Sequence, residues 1–342
     1  MTESSARPIG SALVPLAALV IVLAAMRAAT DIVVPFLLVL FIAILCEPAV
    51  EWLARRGLGR GMAVGVVFAV FIVLELVLVV AVGGAYQRFS EKLPFYQQRI
   101  EELRASGIGV LARVGIEAGD RPVLRALDAG VVMVAVRDLL VSLGGILTNS
   151  FLILLAVIFL LLEAPALNDR LTASHRSGRG LPDFSDLFQG INRYMGIKAL
   201  ISALTGAADA LGLWLLGVDF PLIWGFLVFL LNFIPNIGSI IATIPPVLLA
   251  LVQLGPWSAL ATLIIFLAVG MILGNVLEPR LLGRGLGISS LVVLLSLVFW
   301  GWLLGPVGML LSVPLTMVVK LALEDREETR WVALLLGGGG PK

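Results

Sequence analysis

Charge is scarce in this chain of 342 residues: Asp, Glu, Lys and Arg make up 14% of it, against about 25% in an ordinary soluble domain. Hydrophobic residues account for 60% and the mean hydropathy is +1.07. That excludes a soluble globular domain and points to a polytopic membrane protein. The 24 Lys and Arg are matched by 23 Asp and Glu, so no basic surplus exists to hold nucleic acid. A single cysteine, Cys46, rules out an internal disulfide framework. A single histidine, His175, argues against a His-based metal site. Neither a metal nor a cofactor is expected.

Catalytic motifs are absent too. Gly107-x-Gly109-x-x-Ala112 imitates a dinucleotide fingerprint but follows no strand, and the glycine run ending at Lys342 lacks the Ser or Thr of a P-loop. Neither Gly-x-Ser-x-Gly nor His-Glu-x-x-His occurs. An enzyme is not expected.

What the chain has is hydrocarbon. From Phe220 to Leu277 no Lys, Arg, Asp or Glu occurs for 58 residues. A helix of that length would be about 87 Å long, against a hydrocarbon core of about 30 Å, so the run crosses or re-enters the bilayer more than once. Inside it lies Asn232-Phe233-Ile234-Pro235-Asn236-Ile237-Gly238-Ser239. Irregular backbone survives at membrane depth only when packed in protein or lining a wet cavity, so this break reads as a site. Asn232, Pro235, Asn236, Gly238 and Ser239 are its candidate path residues. An alternative use of Asn236 and Ser239 is to cap the second arm.

In chain order, an apolar run at 11–26, a second at 32–46 and a third at 61–84 form the first three spans. The first is read as a retained helix rather than a cleaved signal, because the second follows at once. Arg55, Arg56 and Arg60 after the second span argue for a cytoplasmic loop, as do Arg170, Arg176, Arg179 and Arg193 later. Both termini are then cytoplasmic. Residues 85–138 are charged, with helical apolar spacing, and read as a small helical extramembrane segment. A fourth span at 139–162 and a fifth at 198–218 follow, then two arms at 222–233 and 240–254 flanking the break. Residues 259–277 form a further span whose Gly270-x-x-x-Gly274 face suits packing between copies in a homo-oligomer.

The 35 uncharged residues from Gly285 to Val319 are too long for one span and short for two. With Gly301-Trp302-Leu303-Leu304-Gly305-Pro306-Val307-Gly308 in their middle, they fit a second hairpin. Gly305 and Gly308 there echo Pro235 to Gly238, and paired Gly/Pro-interrupted segments mark transport sites in many secondary transporters. The expected fold is an all-α polytopic membrane protein of about eight membrane segments, two of them broken or re-entrant hairpins. Its regions are 1–84, 85–138, a transport core at 139–322 and a tail at 323–342.

Two carboxylates, Glu75 and Asp209, fall inside apolar spans. A charge near the bilayer centre costs at least about 2.5 to 3.5 kcal/mol, so each must be protonated, paired or facing water. Either suits a proton or ion relay, or an interhelical hydrogen bond. Glu278 and Arg280 straddle Pro279 at a membrane boundary, where they suit a gate or a fixed anchor. Asn275, which opens the same stretch, is a further candidate path residue, as are Gly305 and Gly308.

The order of these features resembles the autoinducer-2 exporter family of bacterial multi-pass membrane proteins. The resemblance rests on Pro35, Glu47-Pro48, Trp52-Leu53 and Arg55-Arg56-Gly57, on Phe89 to Pro94, and on Leu216-Gly217-Val218. Its more specific parts are Phe233 to Gly238 with Ile244-Pro245, Asn275 to Leu281, and Leu303 to Gly308 with Val313-Pro314. It implies export of a small polar solute such as autoinducer-2 through the bacterial cytoplasmic membrane, with sodium (cation)/proton antiport as the rival. A non-transporting membrane scaffold is the reading from a different class. Asn236 departs from the aromatic common after that proline, which alters the shape of any site there. The expected partners are the lipid bilayer, a small polar solute or cation, and further copies of the chain.

Overall fold

A computed structural model describes residues 10–113, 134, 137–139, 141–145, 150–163, 185–282, 289–324 and 329–337. The described residues fold entirely as helices and the turns between them. Seven helices are long and apolar enough to cross a membrane, and α1 (Gly10–Ala28) adds a nineteen-residue apolar helix. The protein is an all-α polytopic membrane protein. The arginine-rich loop after the fourth span, with His175, lies outside the described residues, as does most of the 123–140 stretch.

Two compact units divide the chain: residues 1–42 with 287–342, and residues 43–286. In the first, α1 and the start of α2 (Thr30–Arg55) are followed, much later in the chain, by α10 (Ser290–Leu310), α11 (Ser312–Glu324) and α12 (Arg330–Leu336). Helix α10 is broken at Gly305, whose φ of 69° and ψ of −152° lie outside helical geometry. The chain folds back there. The Trp300 indole N–H donates to Thr316 Oγ1 at 3.0 Å, a contact that a straight helix would stretch to about 24 Å. A methyl group on Gly308 would lie 2.0 Å from the Trp300 carbonyl oxygen. Leu23, Met26, Val33, Val34, Leu37 and Leu315 close around Trp300, Leu303 and Leu304.

The second unit carries the candidate site. Its spine is α3 (Arg60–Arg113), 54 residues of uninterrupted helix that include Pro94, about 81 Å long. By sequence the third span ends at Gly84, where charge sets in. The helix instead continues, because the apolar period does: Leu78, Val82, Ala85, Phe89, Tyr96 and Ile100 are all buried in one cluster. Around α3 stand α4, whose described residues fall within Arg137–Glu163, α5 (Ser185–Leu216), α6 (Pro221–Leu231), α7 (Ile237–Leu254) and α8 (Pro256–Val269). A π-helix over Gly270–Leu277 joins α8 to α9 (Glu278–Leu282).

At the Arg60 end of α3, the guanidinium donates to both Glu47 carboxylate oxygens at 3.0 and 3.1 Å and to the Leu161 carbonyl at 3.3 Å. That ties the ends of α2 and α4 to the start of α3. At the far end, Lys92 and Tyr96 reach Asp219, just beyond α5. These two tethers lie about 48 Å apart along α3, farther than the hydrocarbon core is thick, and their sides are called the Arg60 face and the Lys92 face.

Candidate functional site: a re-entrant hairpin on a buried polar helix face

Helix α6 has eleven residues, about 16 Å of rise, too little to cross a 30 Å core. Its start and the end of α7 meet. The Gln253 side-chain carbonyl accepts from the Asp219 backbone N–H at 2.9 Å, and its amide donates to the Gly217 carbonyl at 3.0 Å. Residues 220–254 therefore enter and leave on the Lys92 face, and the hairpin is re-entrant. The Trp224 indole N–H donates to the Asp219 carbonyl at 2.9 Å, which fixes the first turn of α6 under the mouth.

Depth follows from α5. Asn232, at the C-cap of α6, donates from Nδ2 to Ser202 Oγ at 3.0 Å. Ser202 lies fourteen residues before the C-terminus of α5, about 21 Å along its axis. The tip thus lies about 21 Å along α5 from the hairpin mouth, less than the thickness of a core of about 30 Å. Close packing permits this: a methyl group on Gly206 would lie 2.4 Å from the Gly225 carbonyl oxygen, and one on Gly225 would lie 2.5 Å from that of Gly206. The two backbones touch, and no side chain separates α5 from α6.

The tip itself is tight. Asn236 has φ 61° and ψ −42°, a left-handed φ that Asn tolerates better than most residues. It occupies the N-cap position of α7, but its side chain makes no capping bond there. The capping use of Asn236 anticipated from sequence is therefore not what the geometry shows, because the turn aims this residue outward, and it is exposed. Ser239 is exposed as well and contributes its carbonyl to Thr243 Oγ1 at 2.7 Å. Gly238 is buried, and a methyl group there would lie 1.7 Å from the Leu231 carbonyl oxygen. Pro235 is half-buried at the apex.

Opposite the tip, α5 presents Lys198, Ser202, Thr205 and Asp209, at intervals of four, three and four residues, which is one helix face. All four are buried, with 6, 0, 6 and 2% exposure. A polar stripe inside a membrane helix faces protein or a wet path, not lipid. Thr205 satisfies its hydroxyl on the Ile201 carbonyl at 2.8 Å. Asp209 Oδ1 and, on α8, Thr262 Oγ1 are buried without a hydrogen-bond partner among the described residues. Of this stripe, sequence analysis singled out Asp209 alone. The spacing of Lys198, Ser202 and Thr205 was the signal available for the rest.

The other candidates are placed as follows. Glu75 is half-buried and accepts a hydrogen bond from Ser150 of α4. Glu278 has both carboxylate oxygens 2.9 Å from Lys198 Nζ, a partner eighty positions away that the sequence does not disclose. Arg280 is exposed. Asn275 lies exposed in the π-helix, a distortion frequent at functional sites. Gly305 and Gly308 belong to the other unit, where they repeat the device of Pro235 to Gly238: a proline at the reversal, then a glycine pressed on a carbonyl of the first arm.

One consequence is testable at the tip. Asn232→Leu removes the bond between the hairpin tip and Ser202 and leaves that buried hydroxyl short of a donor. The expected loss is about 1–3 kcal/mol of stability, measured by thermal unfolding in detergent.

Fold and site together define a multi-pass membrane protein of the broken-helix kind, in which a re-entrant hairpin meets a polar helix face. Residues 16–327 match the family described as AI-2E family transporter. The chain is 40% identical over 319 residues to the AI-2 transport protein TqsA of Escherichia coli (strain K12), covering 93% of each. It is 37% identical over 331 residues to YhhT of the same strain, named only as a transport protein, covering 96% of this chain and 95% of that one. A Haemophilus influenzae transport protein is likewise 37% identical over 332 residues, covering 95% of each. The chain belongs to the AI-2E transporter family, and it is a membrane transporter.

Proposed function

We propose that the protein exports a small polar solute such as autoinducer-2 across the bacterial cytoplasmic membrane, along the polar face of α5 and past the hairpin tip. The observation that carries this reading is the stripe Ser202, Thr205 and Asp209, buried in a membrane helix and facing a re-entrant break. Hydroxyls, an amide and a carboxyl suit a neutral hydroxylated solute. The name of TqsA supports this choice of solute. Arg55 and Arg56, at the Arg60 face, support placing that face and both termini in the cytoplasm. Gly270 and Gly274, where an added methyl group would meet nothing within 4 Å, leave a small-residue face for a second copy of the chain.

Counterflow into proteoliposomes tests the solute directly: uptake of autoinducer-2 that saturates and is competed by unlabelled solute supports export, and none at any gradient removes it. The second reading, cation/proton antiport, is favoured by one observation, the Asp209 carboxyl with an unpartnered buried oxygen. In everted vesicles carrying a pH-sensitive dye, sodium should then release protons, and Asp209→Asn should reduce that signal at least tenfold. Equal signals from Asp209→Asn and wild type would leave the carboxyl without a relay role.

A further inference from the structure

Two ion pairs, each to a different helix, flank the polar face of α5, one at Lys198 on the helix and one at Asp219 just beyond its end. At the Arg60 face, Lys198 holds Glu278 with both oxygens at 2.9 Å. At the Lys92 face, Asp219 accepts from Lys92 at 2.6 Å and from the Tyr96 hydroxyl at 2.6 Å. Ser202, Thr205 and Asp209 lie between them. We propose that these two pairs are the two gates of the path, opened in alternation, so that the stripe faces one side of the membrane at a time. This rests on the transport reading above and adds Lys198, Lys92, Tyr96 and Asp219 to the moving parts.

The two locks differ in a way that suits the role. The Lys198–Glu278 pair is dry, with 7 and 17% of its side chains exposed. A buried ion pair is a poor stabiliser, since apolar residues of the same volume often do as well or better. Its use here is to exist in two states. Glu278 directly follows the π-helix Gly270–Leu277, whose i→i+5 turns are wider than those of an α-helix. Tightening them to α-helix would swing Glu278 around the helix axis and carry it off Lys198. Among the described residues nothing lies within 4 Å of a methyl group added at Gly270 or Gly274.

The Lys92–Asp219 pair is wetter, at 46 and 20% exposure, and is braced by the wholly buried Tyr96 ring. Asp219 is also the residue at which Gln253 closes the hairpin mouth. Parting Lys92 and Tyr96 from Asp219 therefore releases the polar tie between α3 and the residue that Gln253 holds at the mouth.

The test reads accessibility, not flux. Replacing the one native cysteine, Cys46→Ala, and installing Thr205→Cys gives a single reporter on the stripe. Sealed vesicles of each orientation are exposed to a membrane-impermeant maleimide. Lys198→Met should raise the labelling rate about tenfold or more from the Arg60 face, with no rise from the Lys92 face, and Asp219→Asn should do the reverse. The charge-swapped pair Lys198→Glu with Glu278→Lys should label as slowly as the parent. The proposal is overturned if neither variant changes labelling, if either raises it equally from both faces, or if the swapped pair labels as fast as Lys198→Met. Flux of the solute is measured separately: side-selective labelling without flux leaves the gates standing and removes the solute, whereas flux without side-selective labelling removes the gates alone.

Discussion

Gly238→Ala is expected to cut solute flux at least tenfold while the protein still inserts in the membrane in near-normal amounts. Insertion depends on the summed hydropathy of the segments, which one methyl group does not change. The hairpin depends on a contact that leaves no room for that group. A Cβ at position 238 would lie 1.7 Å from the Leu231 carbonyl oxygen and 2.7 Å from its carbon, and both are backbone, so no rotamer change relieves the clash. Either the tip opens by more than an ångström or α6 moves along α5. The second route is closed by the Gly206–Gly225 contact. Opening the tip pulls Asn232 from Ser202 and costs about 1–3 kcal/mol or more, as overpacking does. Flux in proteoliposomes, normalised to the amount of protein extracted, reads the effect. Unchanged flux at normal abundance would sink the hairpin as the site.

Lys198→Met should destabilise the protein by about 3–5 kcal/mol, because Glu278 is left buried beside no cation. Glu278→Met alone should do the same from the other side. The double variant Lys198→Met with Glu278→Met should recover most of the loss, since two apolar side chains of similar volume replace the pair. Denaturant or thermal unfolding of all four proteins in one detergent gives the cycle. A double variant as unstable as the singles would mean that the lysine stem, not the charge, is what matters. If the ion pair is a gate, the double variant should be stable yet leaky, a combination that a purely structural pair does not produce.

The helix break at the centre of the candidate site was readable in the chain. The break at 232–239 stood out because Asn, Pro, Gly and Ser are gathered there within eight residues, whereas Pro245-Pro246 and Gly255-Pro256, the other interruptions of the 58-residue run, bring no such polar cluster. The second reversal at Gly305 to Gly308 stood out for its Gly and Pro in the middle of an uncharged run. What the pattern could not give was direction. Whether arms of about twelve and fifteen residues cross or turn back depends on where their ends meet, and the closing contact is Gln253 with Gly217 and Asp219, a polar residue in an apparent turn. The partner of Glu278 was hidden because an ion pair across 80 positions leaves no local spacing to detect. The continuation of α3 past Gly84 was masked by charge: Arg88, Glu91, Lys92 and Arg99 occupy the wet face, while Phe89, Tyr96 and Ile100 keep the helical period on the other. The π-helix carries no composition of its own, and Gly270-x-x-x-Gly274 reads as a packing motif whether or not a residue is inserted.

The long helix has a mechanical meaning. Lys92 lies 32 residues beyond Arg60 along α3, about 48 Å, and Arg60 is clamped by Glu47 and by the end of α4. With that end as fulcrum, a tilt of only about 5° sweeps Lys92 sideways by about 4 Å, given that rise per residue. A displacement of this size is more than enough to separate a 2.6 Å contact. Helix α3 thus has the geometry of a lever arm, clamped at Arg60 and ending its reach at the Lys92 and Tyr96 contacts to Asp219 at the mouth.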